Sequence, residues 1–139
     1  MIARDLMTPN PSTVTPDVTL AEVWDLMQEL DVRHVPVVER GSLVGMLSDR
    51  DLAHLDLGRA LNMEGADALR RQLQAPALEM MSSDVISAEP EMELGDVVGL
   101  LLEHKVGAIP VVRPGTREIV GIISYVDVLR AVRDLLEAE

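Results

Sequence analysis

The chain has 139 residues, a formal net charge of −12 and no cysteine. Its length fits one compact domain, or two small repeats that share a core. The acidic balance argues against nucleic acid or an anionic membrane as a general partner. The chain has no thiolate metal site, no signal-peptide pattern after Met1, and no apolar run near the roughly 18 residues of a membrane span. We therefore expect a cytoplasmic protein.

The first part of the chain predicts a strand and an amphipathic helix. Residues 3–8 form a short lead-in that recurs at residues 77–82, and Thr13-Val14-Thr15 predicts a short first strand. Thr19 followed by Glu22 is typical of a capping box at a helix N-terminus. Apolar residues at helical spacing predict one buried face for this helix. They are Leu20, Val23, Trp24, Met27 and Leu30. Trp24 is interpreted as a core residue.

A β-hairpin and another helix should follow. Val35 to Val38 is rich in β-branched residues and predicts a buried strand. Pro36 lacks a backbone N–H, so it should begin that strand or lie on an edge. Arg40-Gly41-Ser42 predicts a turn and Leu43 to Leu47 a second strand. After Ser48 we expect a helix that runs to about Leu57 and ends near Gly58.

The rest of the chain repeats this pattern. Pro16, Leu20 and Pro36 recur 74 positions later, and after the turn Gly45, Ser48 and Asp51 recur 76 positions later. The two extra residues fall in the Pro114-Gly115-Thr116 loop, where insertions are well tolerated. The duplication predicts an α/β fold in which the order strand, helix, strand, strand, helix occurs twice with pseudo-two-fold symmetry.

We expect the first repeat at residues 1–58, a helical linker at 59–76 and the second repeat, with the C-terminal helix, at 77–139. In the linker, Leu61, Leu69 and Leu73 can share a helical face. The second copy of the first helix keeps its apolar face at Leu94, Val97, Val98, Leu101 and Leu102. It also contains Gly95 and Gly99, which either allow a close helix approach or have no role.

The clearest functional pattern is Ser48-x-x-Asp51 and its copy Ser124-x-x-Asp127. Each follows a strand and opens a helix, whose N-terminus suits a phosphate. The serine hydroxyl can donate to a phosphate oxygen, and the aspartate can accept from ribose hydroxyls. The same spacing is also a plain capping motif that contributes about 1 kcal/mol to its helix. One copy alone favours capping, whereas two equivalent copies favour a binding role.

These paired motifs resemble those of tandem cystathionine-β-synthase (CBS) domains, also called a Bateman module. The resemblance rests on four stretches and their second copies, and it spans residues 3–132. The stretches are Leu6-Met7-Thr8, Thr13 to Pro16, Val32 to Val38, and Gly45 to Leu52. It implies adenosine ligands, namely AMP, ADP, ATP or S-adenosylmethionine, bound in clefts between the repeats. It also implies a disc-like homodimer, which the apolar stripes of the two copied helices and the last helix favour.

The resemblance implies that each cleft combines the Ser and Asp of one repeat with two parts of the other repeat. These parts are the first strand and the segment that leads into the proline of the second strand. One cleft would use Ser124, Asp127, Thr13, Val14, Arg33, His34, Val35 and Pro36. The second would use Ser48, Asp51, Ser87, Ala88, Gly107, Ala108, Ile109 and Pro110, with Arg50 as a further cation. Arg33 and His34 have uncharged counterparts, so we expect the cleft that contains them to bind nucleotide more tightly.

The sequence therefore predicts a stand-alone regulatory module that senses adenine nucleotides and signals to an unidentified effector protein. One alternative is an S-adenosylmethionine sensor. Another is a ligand-independent dimeric scaffold, in which the Ser-x-x-Asp motifs only cap helices. No nucleophile with an adjacent base and no P-loop is found, so we expect no enzyme, no catalytic cofactor and no metal. His54 and His104 lack partners at metal-ligand spacing and are interpreted as surface histidines.

Overall fold

The structure is a computed structural model that describes residues 1–53 and 63–138. Contacts divide the chain into two compact units. Unit 1 comprises residues 1–11 and 85–139, and unit 2 comprises residues 12–84. Both combine helices with antiparallel strands, as the α/β prediction requires. Within the described ranges, no helix is both long and apolar enough to cross a membrane.

The described helices and strands follow the predicted repeat. In chain order they are α1 (Ala3–Leu6), β1 (Thr8–Pro9), α2 (Leu20–Leu30), β2 (His34–Glu39), β3 (Ser42–Ser48), α3 (Asp49–Ala53), α4 (Met63–Leu73), a 3-10 helix (Ala77–Glu79), α5 (Leu94–His104), β4 (Ala108–Val112), β5 (Ile119–Ser124) and α6 (Tyr125–Glu137). The predicted end of the helix after Ser48, near Leu57 and Gly58, lies outside the described residues, as do His54 and Leu61.

Helix α2 begins at the predicted capping box. The Glu22 N–H donates to the Thr19 hydroxyl at 3.2 Å, and the Thr19 N–H donates to the Glu22 carboxylate at 3.0 Å. The prediction that Trp24 is a core residue is wrong, because its exposed fraction is 45%. The helix buries the narrow stripe of Leu20, Val23 and Met27 against unit 2, and Trp24 lies at the edge of that stripe.

The hairpin of unit 2 is closed by a two-residue turn. Arg40 and Gly41 have φ angles of 51° and 81°, and positive φ at both positions matches the right-handed twist of the flanking strands. Pro36 lies inside β2 rather than at its start, but β2 belongs to a two-stranded sheet and is therefore an edge strand, as predicted. The expected first strand is reduced to Val14, which bridges Val37.

Each lead-in segment docks on the compact unit built mainly from the other repeat. In unit 1, the N–H groups of Ala3 and Arg4 donate to the carbonyls of Met92 and Pro90 at 2.7 and 2.9 Å. Strand β1 then pairs with β5. The corresponding bonds in unit 2 run from Ala77 to Val18 at 2.7 Å and from Leu78 to Pro16 at 3.0 Å. The compact units therefore differ from the sequence repeats by a reciprocal exchange of these segments.

The linker helix contributes to the core of unit 2. Leu69 and Leu73 of α4 are partly buried against that core, so the predicted shared face is found for these two residues. In unit 1 the core is built around Ile109, Val111 and Ile123, each fully buried. The prediction that Leu102 belongs to the buried face of α5 is wrong. Its exposed fraction is 72%, because α5 buries mainly Val97 and Leu101.

The glycines of α5 provide a stability test. A Cβ added at Gly95 or Gly99 would meet no atom of the described chain within 4 Å, so no close approach within the chain requires either glycine. Because glycine in a helix is less favourable than alanine, we expect Gly95→Ala and Gly99→Ala each to raise the free energy of unfolding by about 0.5–1 kcal/mol. Urea denaturation measures the change. A loss of stability would contradict this expectation.

Candidate functional site

The open end of the unit 2 hairpin gathers polar residues from both strands. His34, at the start of β2, pairs with Ser48, at the end of β3. The Asp49 N–H donates to the Arg33 carbonyl at 2.9 Å. Because an antiparallel hairpin places the start of its first strand beside the end of its second, Arg33 and His34 are neighbours of the Ser48-x-x-Asp51 motif.

Ser48 and Asp51 form a reciprocal capping box. The Ser48 N–H donates to Asp51 Oδ2 at 2.8 Å, and the Asp51 N–H donates to Ser48 Oγ at 3.2 Å. Both residues are half-buried. The capping role considered for this motif is therefore present. It is compatible with ligand binding, since an ionised carboxylate accepts about four hydrogen bonds.

Unit 1 repeats this arrangement. Ala108 pairs with Ser124, and the Tyr125 N–H donates to the Gly107 carbonyl at 3.0 Å. The Ser124 N–H donates to Asp127 Oδ2 at 2.8 Å, and the Asp127 N–H donates to Ser124 Oγ at 3.3 Å. Gly107 and Ala108 stand where unit 2 has Arg33 and His34, so the two sites differ in charge at this point.

Arg130 is a site residue that the sequence motifs did not predict, and its Nη1 lies 3.6 Å from Asp127 Oδ1. The two side chains are three residues apart on α6, and this spacing is the sequence signal that could have identified the pair. Arg130 is exposed, whereas the Asp127 side chain is only 13% exposed. The guanidinium therefore brings a cation to the carboxylate of the unit 1 motif.

The first-strand residues lie against the middle of each hairpin. Val14 donates its N–H to the Pro36 carbonyl at 3.1 Å, and Ala88 donates to the Pro110 carbonyl at 2.9 Å. Thr13 is exposed and Ser87 half-buried. Five other predicted site residues are buried, namely Val35, Pro36, Ala108, Ile109 and Pro110. Their side chains belong to the cores, so they offer a ligand backbone groups rather than side-chain contacts.

Within unit 2 the structure brings Arg33 and His34 together with Ser48 and Asp51. The resemblance instead combined Arg33 and His34 with Ser124 and Asp127 of the other repeat, and that combination stays a prediction. Arg50 is exposed on α3, next to the same motif. Among the described residues, no group of three or more His, Asp and Glu side chains could hold a metal ion.

Burial lowers the pKa of His34 below its usual value. The carboxylates of Asp49 and Asp51 oppose this shift, and the guanidinium groups of Arg33 and Arg50 add to it. The neutral imidazole is therefore favoured in the folded protein, while the unfolded chain takes up the proton more readily. The contribution of His34 to the free energy of unfolding is therefore fully present above the unfolded pKa of about 6.5. This contribution is lost as the pH falls below that value.

This shift predicts a pH-dependent stability. Between pH 7.5 and pH 5.5 we expect the wild-type protein to lose more stability than His34→Asn, because the variant cannot take up this proton on unfolding. Urea denaturation at both pH values measures the loss. His104→Asn, which replaces an exposed histidine at the end of α5, is the matched control. An equal loss in wild type and His34→Asn would contradict the prediction.

Comparisons with known proteins agree with this repeated geometry. The family model "CBS domain" matches residues 3–58 and again residues 77–134. The chain belongs to the CBS domain family. The CBS domain-containing protein YhcV of Bacillus subtilis is 36% identical over 124 residues, which cover 89% of this chain and 80% of YhcV. MJ1225 of Methanocaldococcus jannaschii is 33% identical over 93% of the chain, which spans only 46% of that protein.

Solved structures of CBS proteins have the same fold. The structure of CBSX2 in complex with AMP has a TM-score of 0.79 at 28% identity, and the match covers 96% of this CBS chain and 97% of CBSX2. The structure of MJ1225 has a TM-score of 0.81 at 30% identity, and the match covers 94% of this chain and 47% of that one. The tandem CBS fold predicted from the duplicated motifs is therefore confirmed.

Proposed function

We propose that this CBS pair is a regulatory module that binds adenine nucleotides and signals their presence to a partner protein. The observation that supports this most is the cluster of Arg33, His34, Ser48 and Asp51 at one end of unit 2. The guanidinium and the imidazole can bind a phosphate, and the carboxylate can accept hydrogen bonds from ribose hydroxyls. A related protein with the same fold, CBSX2, was crystallised with AMP.

The net charge of the whole chain makes this local cluster important for binding an anionic ligand. With a net charge of −12, the protein repels anions in general. An anionic ligand therefore needs a local group of cations, which unit 2 provides through Arg33 and Arg50. Hydrogen bonds to charged groups contribute about 1.5–3 kcal/mol each. We therefore propose that the site of unit 2 binds the nucleotide more tightly than the site of unit 1.

A thermal-shift titration tests the proposal. AMP, ADP, ATP and S-adenosylmethionine are each added to the protein, with GMP as the control for the base. A ligand at 100 times its Kd stabilises the native state by about 2.7 kcal/mol, which raises Tm by roughly 5 °C or more in a chain of this size. We expect this shift with at least one adenine nucleotide. A shift with S-adenosylmethionine alone would instead favour the alternative sensor, and equal shifts with GMP and AMP would contradict adenine recognition.

The second candidate function is a dimeric scaffold. Exposed apolar residues of α6 favour this function. Tyr125, Leu129, Val132 and Leu136 recur every three or four residues on one side of the helix and are 44, 61, 39 and 68% exposed. The buried residues of α6, Val128 and Ala131, lie on another side. Such an exposed stripe is typical of an interface, and a homodimer would cover it.

Light scattering separates the two functions. We expect a dimer for the wild-type protein and a monomer for Leu129→Glu, which places a charge in the stripe. Arg133→Glu, which changes an exposed polar position of α6, should leave the dimer intact. A dimer that shows no thermal shift with any adenosine compound would favour the scaffold. A wild-type monomer at micromolar concentration would contradict the homodimer.

A further inference from the structure

A groove on unit 2 lies between the end of α4 and the 3-10 helix. It consists of two adjoining cavities of about 440 and 450 Å³, and Arg71, Ala75 and Glu79 line both of them. Clefts of about 300–1,000 Å³ are typical of sites for small molecules. None of the lining residues belongs to the cluster that is proposed to bind nucleotide, so the groove is a separate candidate site.

Backbone hydrogen bonds fix the walls of this groove. The Leu20 N–H, at the start of α2, donates to the Ala75 carbonyl at 2.9 Å. The Ala77 N–H donates to the Val18 carbonyl at 2.7 Å. These two bonds hold the segment between α4 and the 3-10 helix against the start of α2. The walls are therefore in place before a ligand arrives, which lowers the entropy cost of binding.

One side of the groove is apolar. Leu20, Ala68, Ala75 and Met80 line it. Leu20 belongs to the core of unit 2, and Ala75 and Met80 are partly buried against that core. Because these residues are held by the core, they offer a ligand a fixed apolar surface. An aliphatic group that covers this surface is stabilised in proportion to the apolar area removed from water.

Two opposite charges line the same groove. Arg71 lies in the last turn of α4, and Glu79 lies in the 3-10 helix. Both side chains are among those that the structure describes, and they form no ion pair with each other, whereas Arg70 pairs with Asp67 at 2.9 Å. The helix dipole explains an arginine at the end of α4, but it does not explain the apolar surface beside that arginine. The groove therefore presents a cation and an anion next to an apolar surface.

The charges restrict the kind of ligand that fits. Arg70 and Arg71 are the only adjacent basic residues in a sequence with 12 Lys and Arg against 24 Asp and Glu. The guanidinium of Arg71 can bind a carboxylate through two parallel N–H donors. The carboxylate of Glu79 repels a ligand with two negative charges, such as a phosphate, and attracts an ammonium group. A ligand that carries both a carboxylate and an ammonium group therefore matches the groove best.

We propose that this groove binds an α-amino acid with an aliphatic side chain. Arg71 binds the carboxylate of the amino acid, and Glu79 accepts hydrogen bonds from its ammonium group. The aliphatic side chain packs on Leu20, Ala68 and Met80. This binding is independent of the proposed nucleotide site, because the two sites share no residue.

An NMR titration of the isotope-labelled full chain with L-leucine tests the class of ligand. We expect saturable shifts of the amide signals of residues 68–80, with a Kd of about 1 mM or below. Isocaproate lacks the ammonium group of leucine, isoamylamine lacks its carboxylate and glycine lacks its side chain, so each should bind at least about fivefold more weakly. Equal affinities for L-leucine and isocaproate would overturn the assignment of a zwitterion. No shift at about 10 mM L-leucine would overturn the site.

Two variants assign the charges of the ligand to residues of the groove. Arg71→Gln should weaken L-leucine binding at least about tenfold without weakening isoamylamine, and Glu79→Gln should remove the preference for L-leucine over isocaproate. Both residues are exposed, so the variants should fold. Arg133→Gln and Asp134→Asn change exposed charges on α6 of unit 1 and are the matched controls. Equal affinities of Arg71→Gln and Arg133→Gln for L-leucine would overturn the inference.

A titration with AMP separates this groove from the proposed nucleotide site. We expect AMP to shift signals of residues 33–51 and to leave the affinity for L-leucine unchanged. Competition between AMP and L-leucine, with shifts of residues 68–80 by both, would assign the groove to a phosphate ligand and overturn the inference.

Discussion

Gly121→Ala is expected to lower the free energy of unfolding by about 1–3 kcal/mol, the usual cost of overpacking a core. A Cβ at Gly121 would lie 2.9 Å from the Met7 Cγ and closer still to the Met7 sulfur. Gly121 pairs with Pro9 of β1, so the lead-in segment runs directly beside it in the sheet. The added methyl group would push Met7 and β1 away from β5.

Unit 2 contains the same contact, so it should respond in the same way. A Cβ at Gly45 would lie 2.9 Å from the Met81 Cγ and 3.1 Å from the Ser82 carbonyl oxygen. Ser82 exchanges two backbone hydrogen bonds of 3.0 Å with Met46. We expect Gly45→Ala to be at least as costly as Gly121→Ala, because a backbone atom moves less easily than the end of a methionine side chain.

A double-mutant cycle tests whether contact with Met7 causes the loss of stability in Gly121→Ala. Met7→Ala removes the side chain that the new methyl group meets, so the loss in Gly121→Ala with Met7→Ala should be smaller than the sum of the two single losses. Gly99→Ala is the matched control, because the same substitution in an open helical position should stabilise the protein. Additive losses at Met7 and Gly121 in urea denaturation would show that crowding by the methionine is not the reason.

Local patterns predicted much of the fold because local physics decides them. The capping box of Thr19 and Glu22 satisfies backbone groups within one helical turn, and the structure contains both of its hydrogen bonds. The missing N–H of Pro36 predicted that it begins a strand or lies on an edge, and β2 is an edge strand. The prediction that Trp24 is a core residue was wrong, because helical spacing shows which residues can share a face. It does not show how wide the buried stripe on that face is.

The site required information that a linear pattern does not contain. The recurrence of the lead-in was visible in the sequence, but its docking on the unit formed mainly by the other repeat depends on long-range backbone bonds such as that from Ala3 to Met92. It could have been predicted that Arg33 and Asp51 lie close together, because the geometry of the β2–β3 hairpin alone places them at its open end.

Asp51→Asn is expected to weaken binding of the tightest adenine nucleotide at least tenfold, which corresponds to about 1.4 kcal/mol. Asparagine keeps the size of the side chain and one acceptor oxygen for the Ser48 N–H, but it loses the charge that two ribose hydroxyls would contact. Asp127→Asn should have the smaller effect on this tightest site. The resemblance that combined Arg33 with Asp127 predicts the opposite order, so calorimetry on the two variants decides between the two arrangements.

Two controls make that order interpretable. Glu22→Gln alters the same position of a capping box in α2, away from the proposed site, and should leave nucleotide affinity unchanged. Arg33→Gln should weaken binding by itself, and its coupling to Asp51→Asn in a double-mutant cycle reports whether the two residues serve one ligand. The structure supports such a coupling, because the Asp49 N–H donates to the Arg33 carbonyl and fixes both residues at the same end of one hairpin. A coupling of Arg33 with Asp127 instead would assign the guanidinium to a ligand held by the other repeat.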